Sequence, residues 1–299
     1  MWPSPNCKGL RVKLSVEQYR AWKHKSITLL GMSGVGKTRL ANLLRKGGGW
    51  FHYSVDYRIG TRYLGEPILD NIKLQLMHIP LLRDLLRSDS IHINNNITVD
   101  NLTPVSTFLG KLGNPEKGGL SLKEFKHRQL LHKEAELAAL RDVPEFIFKA
   151  RAIYGYDKFL NDAGGSLCEL EDPQLLDILA ENTLILYVRT TQEDEKKLIA
   201  RAESEPKPLY YREEFLDGQL AEYLARSNLP YAAMIEPDDF VRWVFPRLFK
   251  ARIPRYERIA EEYGYTITTE ELSKVNDESG FHRLVESAIA KKLYAQLAV

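Results

Sequence analysis

Residues 31–38 read G-M-S-G-V-G-K-T, in which Gly31 and Gly36 have four residues between them and lead directly into Lys37 and Thr38. In a turn of this spacing, backbone N–H groups point inward, and a following helix adds the positive end of its dipole; together they cradle phosphate oxygens. Lys37 would reach β- and γ-phosphates, and the Thr38 hydroxyl would ligate Mg²⁺. The candidate nucleotide contacts are therefore Gly31, Ser33, Gly34, Val35, Gly36, Lys37, Thr38 and Arg39. A plain glycine turn with an incidental Lys-Thr is the competing use of the same string, and the flanks speak against it. Ser26–Leu30 before the loop is a β-branched, apolar run suited to a buried strand; after it, Leu40, Leu43 and Leu44 fall at helical spacing and Gly47-Gly48-Gly49 ends the run. Strand, glycine loop and helix are the context that makes the string a site for a nucleoside triphosphate.

Further candidates sit where strands end. Trp50–Tyr57 reads as a second strand closing at Asp56, on the loop side of a parallel sheet, where ligands gather. A carboxylate there can take a proton from an attacking hydroxyl, although Asp also favours helix N-caps. Arg58 follows as a candidate substrate contact. Lys158–Asp162 reads as the third strand, with Asp162 placed to hold Mg²⁺ together with Thr38. Gly164 and Gly165 come next, allowing close approach to a substrate or simply a turn. Within a segment at about 196–215, Arg201, Lys207 and Arg212 are candidate lid cations that would close over triphosphate; interleaved Glu residues make a solvated helix face the alternative. His52, His78, His92, His127 and His132 show no metal-ligand spacing.

The elements that must position these residues alternate in type. A fourth strand is expected at 183–188 and a fifth at 265–268, with helices between, which argues one parallel sheet covered on both faces. From about 65 to 155 no strand is evident. Residues 74–86 read as amphipathic helix broken at Pro80, 94–119 as loop, and 122–140 and 143–154 as helices. Residues 240–263 read as helix broken near Pro254, and 280–297 as a closing helix. The expected architecture is an α/β P-loop NTPase: a doubly wound, parallel five-stranded sheet with a helical insertion between strands 2 and 3. Residues 1–25 form an arm and lead-in, and 26–299 a single domain.

Composition is that of a globular protein: 299 residues, 44% hydrophobic, 27% charged. A net charge of +2 and the lack of a long basic stripe argue against nucleic acid as the partner. Two cysteines, Cys7 and Cys168, supply no disulfide framework, so a cytoplasmic setting is expected. No apolar run approaches a membrane span.

Taken in order, these segments resemble the shikimate-kinase-like branch of P-loop small-molecule kinases. ITLLGMSGVGKTRLANLL (27–44) looks like that family's first strand, loop and helix. Ser54-Val55-Asp56 with Ile59, Gly65 and Ile68 resembles its D-x-D segment, and Ala163-Gly164-Gly165 its glycine run. Lys207-Pro208-Leu209 resembles the lid R-P-L, and Arg252-Ile253-Pro254-Arg255-Tyr256 with Ala260 its R-x-P-x-Y-x-x-x-A stretch. The resemblance implies that Asp56 serves the acceptor hydroxyl and that Arg252 grips an acceptor carboxylate, with Arg128 a candidate second acceptor arginine. Ser54, Lys207 and Ser166 depart from the family's Asp, Arg and Gly. The chain also resembles bacterial P-loop proteins described as ATPases, which share G-M-S-G-V-G-K-T and W-F-H-Y-S-V-D-Y-R-I-G-T-R-Y.

The expectation is ATP- and Mg²⁺-dependent phosphoryl transfer to an unidentified small hydroxylated metabolite, with Lys37, Asp56 and Asp162 as the catalytic set. The absence of an N-K-x-D string tilts the nucleotide toward ATP over GTP. Two alternatives stand beside it: an ATPase switch that meets a protein partner through the insertion, and a nucleic-acid-associated NTPase.

Overall fold

Five short runs of apolar and β-branched residues pair as one all-parallel sheet in the computed structural model, which describes residues 14–297. The strands are β1 (Ser26–Leu30), β2 (Trp50–Ser54), β3 (Lys158–Asp162), β4 (Leu184–Arg189) and β5 (Gly264–Thr268), in the order β2-β3-β1-β4-β5. The helices in chain order begin with α1 (Val16–Ala21), α2 (Lys37–Lys46), α3 (Val55–Arg58), α4 (Gly65–Leu76), α5 (Pro80–Arg87), α6 (Thr103–Leu109) and α7 (Leu122–Arg141). They continue with α8 (Val143–Ala152), α9 (Pro173–Asn182), α10 (Gln192–Ser204), α11 (Glu213–Ser227), α12 (Pro237–Tyr263), α13 (Thr269–Ser273) and α14 (Glu278–Leu297). The expected arm at 1–13 lies outside the described residues; within the lead-in, α1 forms behind a Ser15 capping box.

Every residue of β1 is buried, as a central strand covered on both faces requires. Residues 50, 52 and 54 of β2 share one face with Leu160 and Asp162 of β3, because strand side chains alternate. On that face Trp50 meets Phe281 of α14. On the opposite face Phe51 and Tyr53 pack on Phe146 of α8 and on Phe159. Helices on both faces make the sheet doubly wound, as the sequence pattern implies. The chain reverses direction between β1 and β4, so the loop after β1 stands at the topological switch point.

The described chain divides into two compact units. The first holds the sheet and is drawn from the described part of Met1–Val55, from Leu140–Glu205 and from the described part of Phe245–Val299. The second is helical and is drawn from Asp56–Ala139 and Pro206–Val244. Of the expected insertion between β2 and β3 at about 65–155, residues 65–139 lie in the helical unit and 140–155 in the unit of the sheet, whose aromatic face α8 covers; residues 206–244 also belong to the helical unit. Within the helical unit, buried Arg128 donates to Glu124 (2.6 Å), the Phe108 carbonyl (2.7 Å) and Asn71 (2.8 Å), tying α4, α6 and α7 together.

Three local expectations need correction. Strand β2 stops at Ser54, and Asp56 lies in the first turn of α3 instead of at a strand end. Val55 and Ile59, four apart, are both fully buried while Tyr57 between them is 39% exposed; a strand would put all three on one face, whereas a helix turns Tyr57 away. The stretch 94–119 is not all loop: α6 forms with Pro104 in its first turn, where proline's missing N–H costs nothing, and buries Val105, Phe108 and Leu109. Helix α12 runs unbroken through Pro246 and Pro254. Each proline costs about 3 kcal/mol. Leu248, Phe249, Tyr256 and Ile259 are buried around them, each contributing about 1.5–3 kcal/mol, so packing outweighs the lost bonds. Among the described residues, no helix is long and apolar enough to cross a membrane.

Candidate nucleotide site

The phosphate loop joins β1 to α2. Gly34 (φ +88°) and Gly36 (φ +97°) hold left-handed backbone that side-chain-bearing residues rarely adopt, and Gly36 is the N-cap of α2. No side chain among the described residues caps that helix, leaving its first N–H groups available to an anion. Lys37 is buried, and its Nζ donates to the carbonyls of Gly31 (2.8 Å) and Met32 (3.1 Å). The ammonium is therefore stored inside the loop it would use.

Thr38 Oγ1 donates to Asp162 Oδ2 at 2.7 Å. The register explains the meeting: Asp162 lies opposite Leu29 of β1 on one side and Ser54 of β2 on the other, at the end of the sheet where the loop begins. A hydroxyl and a carboxylate at one point offer the hard oxygen donors that suit Mg²⁺. Behind them, His52 Nε2 stands 3.6 Å from the same Asp162 oxygen.

Gly164 and Gly165 follow β3. A Cβ built on Gly165 would lie 2.8 Å from the Ser33 backbone nitrogen, so this turn presses directly on the phosphate loop. Arg252 of α12 holds the turn: it donates to the Gly165 carbonyl at 2.8 Å and pairs with Glu169 at 3.2 Å. Its side chain is 5% exposed and that of Glu169 only 1%. Sequence reasoning passed over Glu169 because it ends no strand; its only signal was an acid seven residues past Asp162.

Beside the loop lies a cleft of about 990 Å³, walled by Gly34, Gly36 and Arg39, by Lys196 and Lys197 of α10, and by Thr269. Leu198 packs so closely on Gly34 that a Cβ there would meet it at 2.8 Å. Asp194 accepts hydrogen bonds from Thr269 and Thr191, which join the start of α10 to α13 and hold its carboxyl below the ordinary aspartate range. Thr191, Asp194 and Thr269 were not legible as site residues, since each is a common cap residue far from the motif in sequence.

The remaining candidates are scattered by element. Arg201 is exposed on α10, Lys207 is exposed between α10 and α11, and Arg212 pairs with Glu214 at 3.2 Å at the start of α11. Asp56 and Arg58 are half-buried on α3, and the Arg58 guanidinium stacks over Tyr63.

An all-parallel sheet, a glycine loop at its switch point and a stored lysine define an α/β P-loop fold. Two solved structures are similar to it. Shikimate kinase from Bacteroides thetaiotaomicron is 16% identical, with 92% of this chain and 99% of that chain covered and a TM-score of 0.39. Shikimate kinase from Acinetobacter baumannii in complex with shikimate is 16% identical, with 94% and 97% covered and a TM-score of 0.37. No family model and no curated protein matches the chain.

Proposed function

We propose that this chain binds ATP with Mg²⁺ at Gly31–Thr38 and transfers the γ-phosphoryl group to a hydroxyl of a small metabolite. The observation that carries the reading is the Thr38–Asp162 hydrogen bond beside the buried Lys37: a hydroxyl, a carboxylate and a cation gathered where the loop turns into α2. Lys37 exchanges its two carbonyl partners for phosphate oxygens, and the loop amides hold the rest of the chain of phosphates. Thr38 and Asp162 would hold Mg²⁺, which would offset charge on the phosphates.

In the transfer, the acceptor oxygen forms a bond to the γ-phosphorus while the bond from that phosphorus to the β,γ-bridging oxygen breaks, and ADP departs. The acceptor's proton passes to Asp56, two residues beyond the end of β2. Lys196 and Lys197, in the wall of the cleft, screen the charge arriving on the leaving diphosphate. Arg252 already holds a carboxylate of its own chain, so its role in this reading is to fix the Gly165 turn. Gripping an acceptor anion would require that buried pair to open.

A second reading, ATP hydrolysis coupled to a protein partner, is favoured by one feature of the helical unit. Leu74, Ile79 and Leu81 are 61%, 49% and 69% exposed on and between α4 and α5. Incubating the protein with γ-labelled ATP and a metabolite extract separates the two. Label in a new organic phosphate supports transfer to a metabolite; label released only as orthophosphate supports hydrolysis.

A further inference from the structure

The imidazole of His52 is almost completely enclosed, with a side chain 2% exposed on the edge strand β2. Among the described residues, neither ring nitrogen has a hydrogen-bond partner. A buried polar atom left unsatisfied costs about 1–3 kcal/mol. An apolar side chain at this strand position would avoid that cost. Nε2 points toward Asp162 Oδ2 at 3.6 Å, less than 1 Å beyond a good hydrogen bond. The parallel register sets this geometry: His52 lies opposite Leu160 and Ser54 opposite Asp162, so His52 and Asp162 are diagonal neighbours on one face.

Asp162 Oδ2 is also the oxygen that accepts the Thr38 hydroxyl at 2.7 Å. If Thr38 turns to a metal ion, that oxygen loses its donor. We propose that His52 is a positioning residue for Asp162: its Nε2–H takes over the hydrogen bond that Thr38 gives up, holding the carboxylate aimed at the metal shell. The inference rests on the Mg²⁺ reading of Thr38 and Asp162. Carboxylate, serine hydroxyl and imidazole thus line up on one face of β2 and β3, and the imidazole supplies a donor from behind the metal site. Outer partners of this kind fix the orientation of metal-holding groups, and their loss typically costs about 10- to 100-fold in metal affinity.

The test compares ATP affinity in Mg²⁺ and in EDTA, by calorimetric titration, for the unaltered protein, His52→Phe and His52→Gln. Phe keeps the ring volume without a donor; Gln keeps a donor. The expected result is an Mg²⁺-dependent gain in affinity that falls about tenfold in His52→Phe, survives in large part in His52→Gln, and leaves metal-free ATP binding unchanged in both. Equal effects of Phe and Gln, or equal losses with and without Mg²⁺, overturn the role of His52 while leaving the metal reading intact. No Mg²⁺-dependent gain in the unaltered protein overturns both. If the variants fold poorly, ¹⁵N-histidine NMR of the unaltered protein decides the question. The His52 signal, assigned by through-bond correlation from its own backbone amide, should be an Nε2–H tautomer that shifts with Mg²⁺ and ATP but not with ATP in EDTA. An Nδ1–H tautomer, or identical shifts in the two conditions, contradicts the proposal.

Discussion

Thr38 and Asp162 lie 124 positions apart in the chain, and Thr38 Oγ1 donates to Asp162 Oδ2 at 2.7 Å. The bond joins the first turn of α2 to the end of β3, where the proposed function puts the metal ion. Asp162→Asn keeps the shape and removes the charge. It is expected to weaken Mg²⁺-dependent ATP binding and turnover while sparing ATP binding in EDTA, because the carboxylate serves the metal and not the phosphates. Paired titrations with circular dichroism check this; equal losses in both media with an altered spectrum would mark Asp162 as structural.

Gly165 lies outside the sequence motif yet abuts it. A Cβ there would stand 2.8 Å from the Ser33 nitrogen, and backbone cannot step aside as a flexible side chain can. Gly165→Ala should therefore lower ATP affinity by displacing the phosphate loop. Gly218→Ala, where a Cβ meets nothing within 4 Å, should not. Equal affinities in the two variants would show that the turn does not set the loop.

Much of the nucleotide half was legible because it is local. The run from Ser26 to Lys46 carries strand, glycine turn and helix in consecutive residues, and the structure keeps those elements. Asp162 was legible as the last residue of an apolar run. Glu169, Asp194 and His52 were not, since their partners lie 83, 75 and 110 positions away and only the sheet register or helix packing brings them together. The end of β2 was misplaced because β-branched and aromatic residues continue past Ser54. Burial of Val55 and Ile59 with Tyr57 turned outward, a tertiary effect, accords with helix and not with strand.

The Arg252–Glu169 pair carries a stability prediction. Both side chains are buried, so removing one partner strands the other's charge away from water. Glu169→Ala should destabilise the fold by about 3–5 kcal/mol, read from the urea midpoint. A change near zero would mean that the pair is open to solvent in solution.

Asp194 predicts a dependence on acid. Hydrogen bonds from Thr269 and Thr191 hold its carboxyl below the ordinary value. A group depressed in the folded state adds stability that is fully present above its unfolded pKa of about 3.9 and lost as pH falls through the folded value. The unaltered protein should melt above Asp194→Asn at neutral pH, with the gap closing as pH drops below about 4. A gap that stays constant through that range would remove the hydrogen-bonded carboxylate from the account.

The central claim is that Gly31–Thr38 binds a nucleoside triphosphate through Lys37, and calorimetric titration of ATP with Mg²⁺ into the unaltered protein and Lys37→Ala tests it most directly. A charge-assisted hydrogen bond is worth about 1.5–3 kcal/mol, so the variant should bind at least about tenfold more weakly. Saturable binding by the unaltered protein with that loss in the variant is the predicted result. No binding by the unaltered protein, or the same affinity in both, would contradict it.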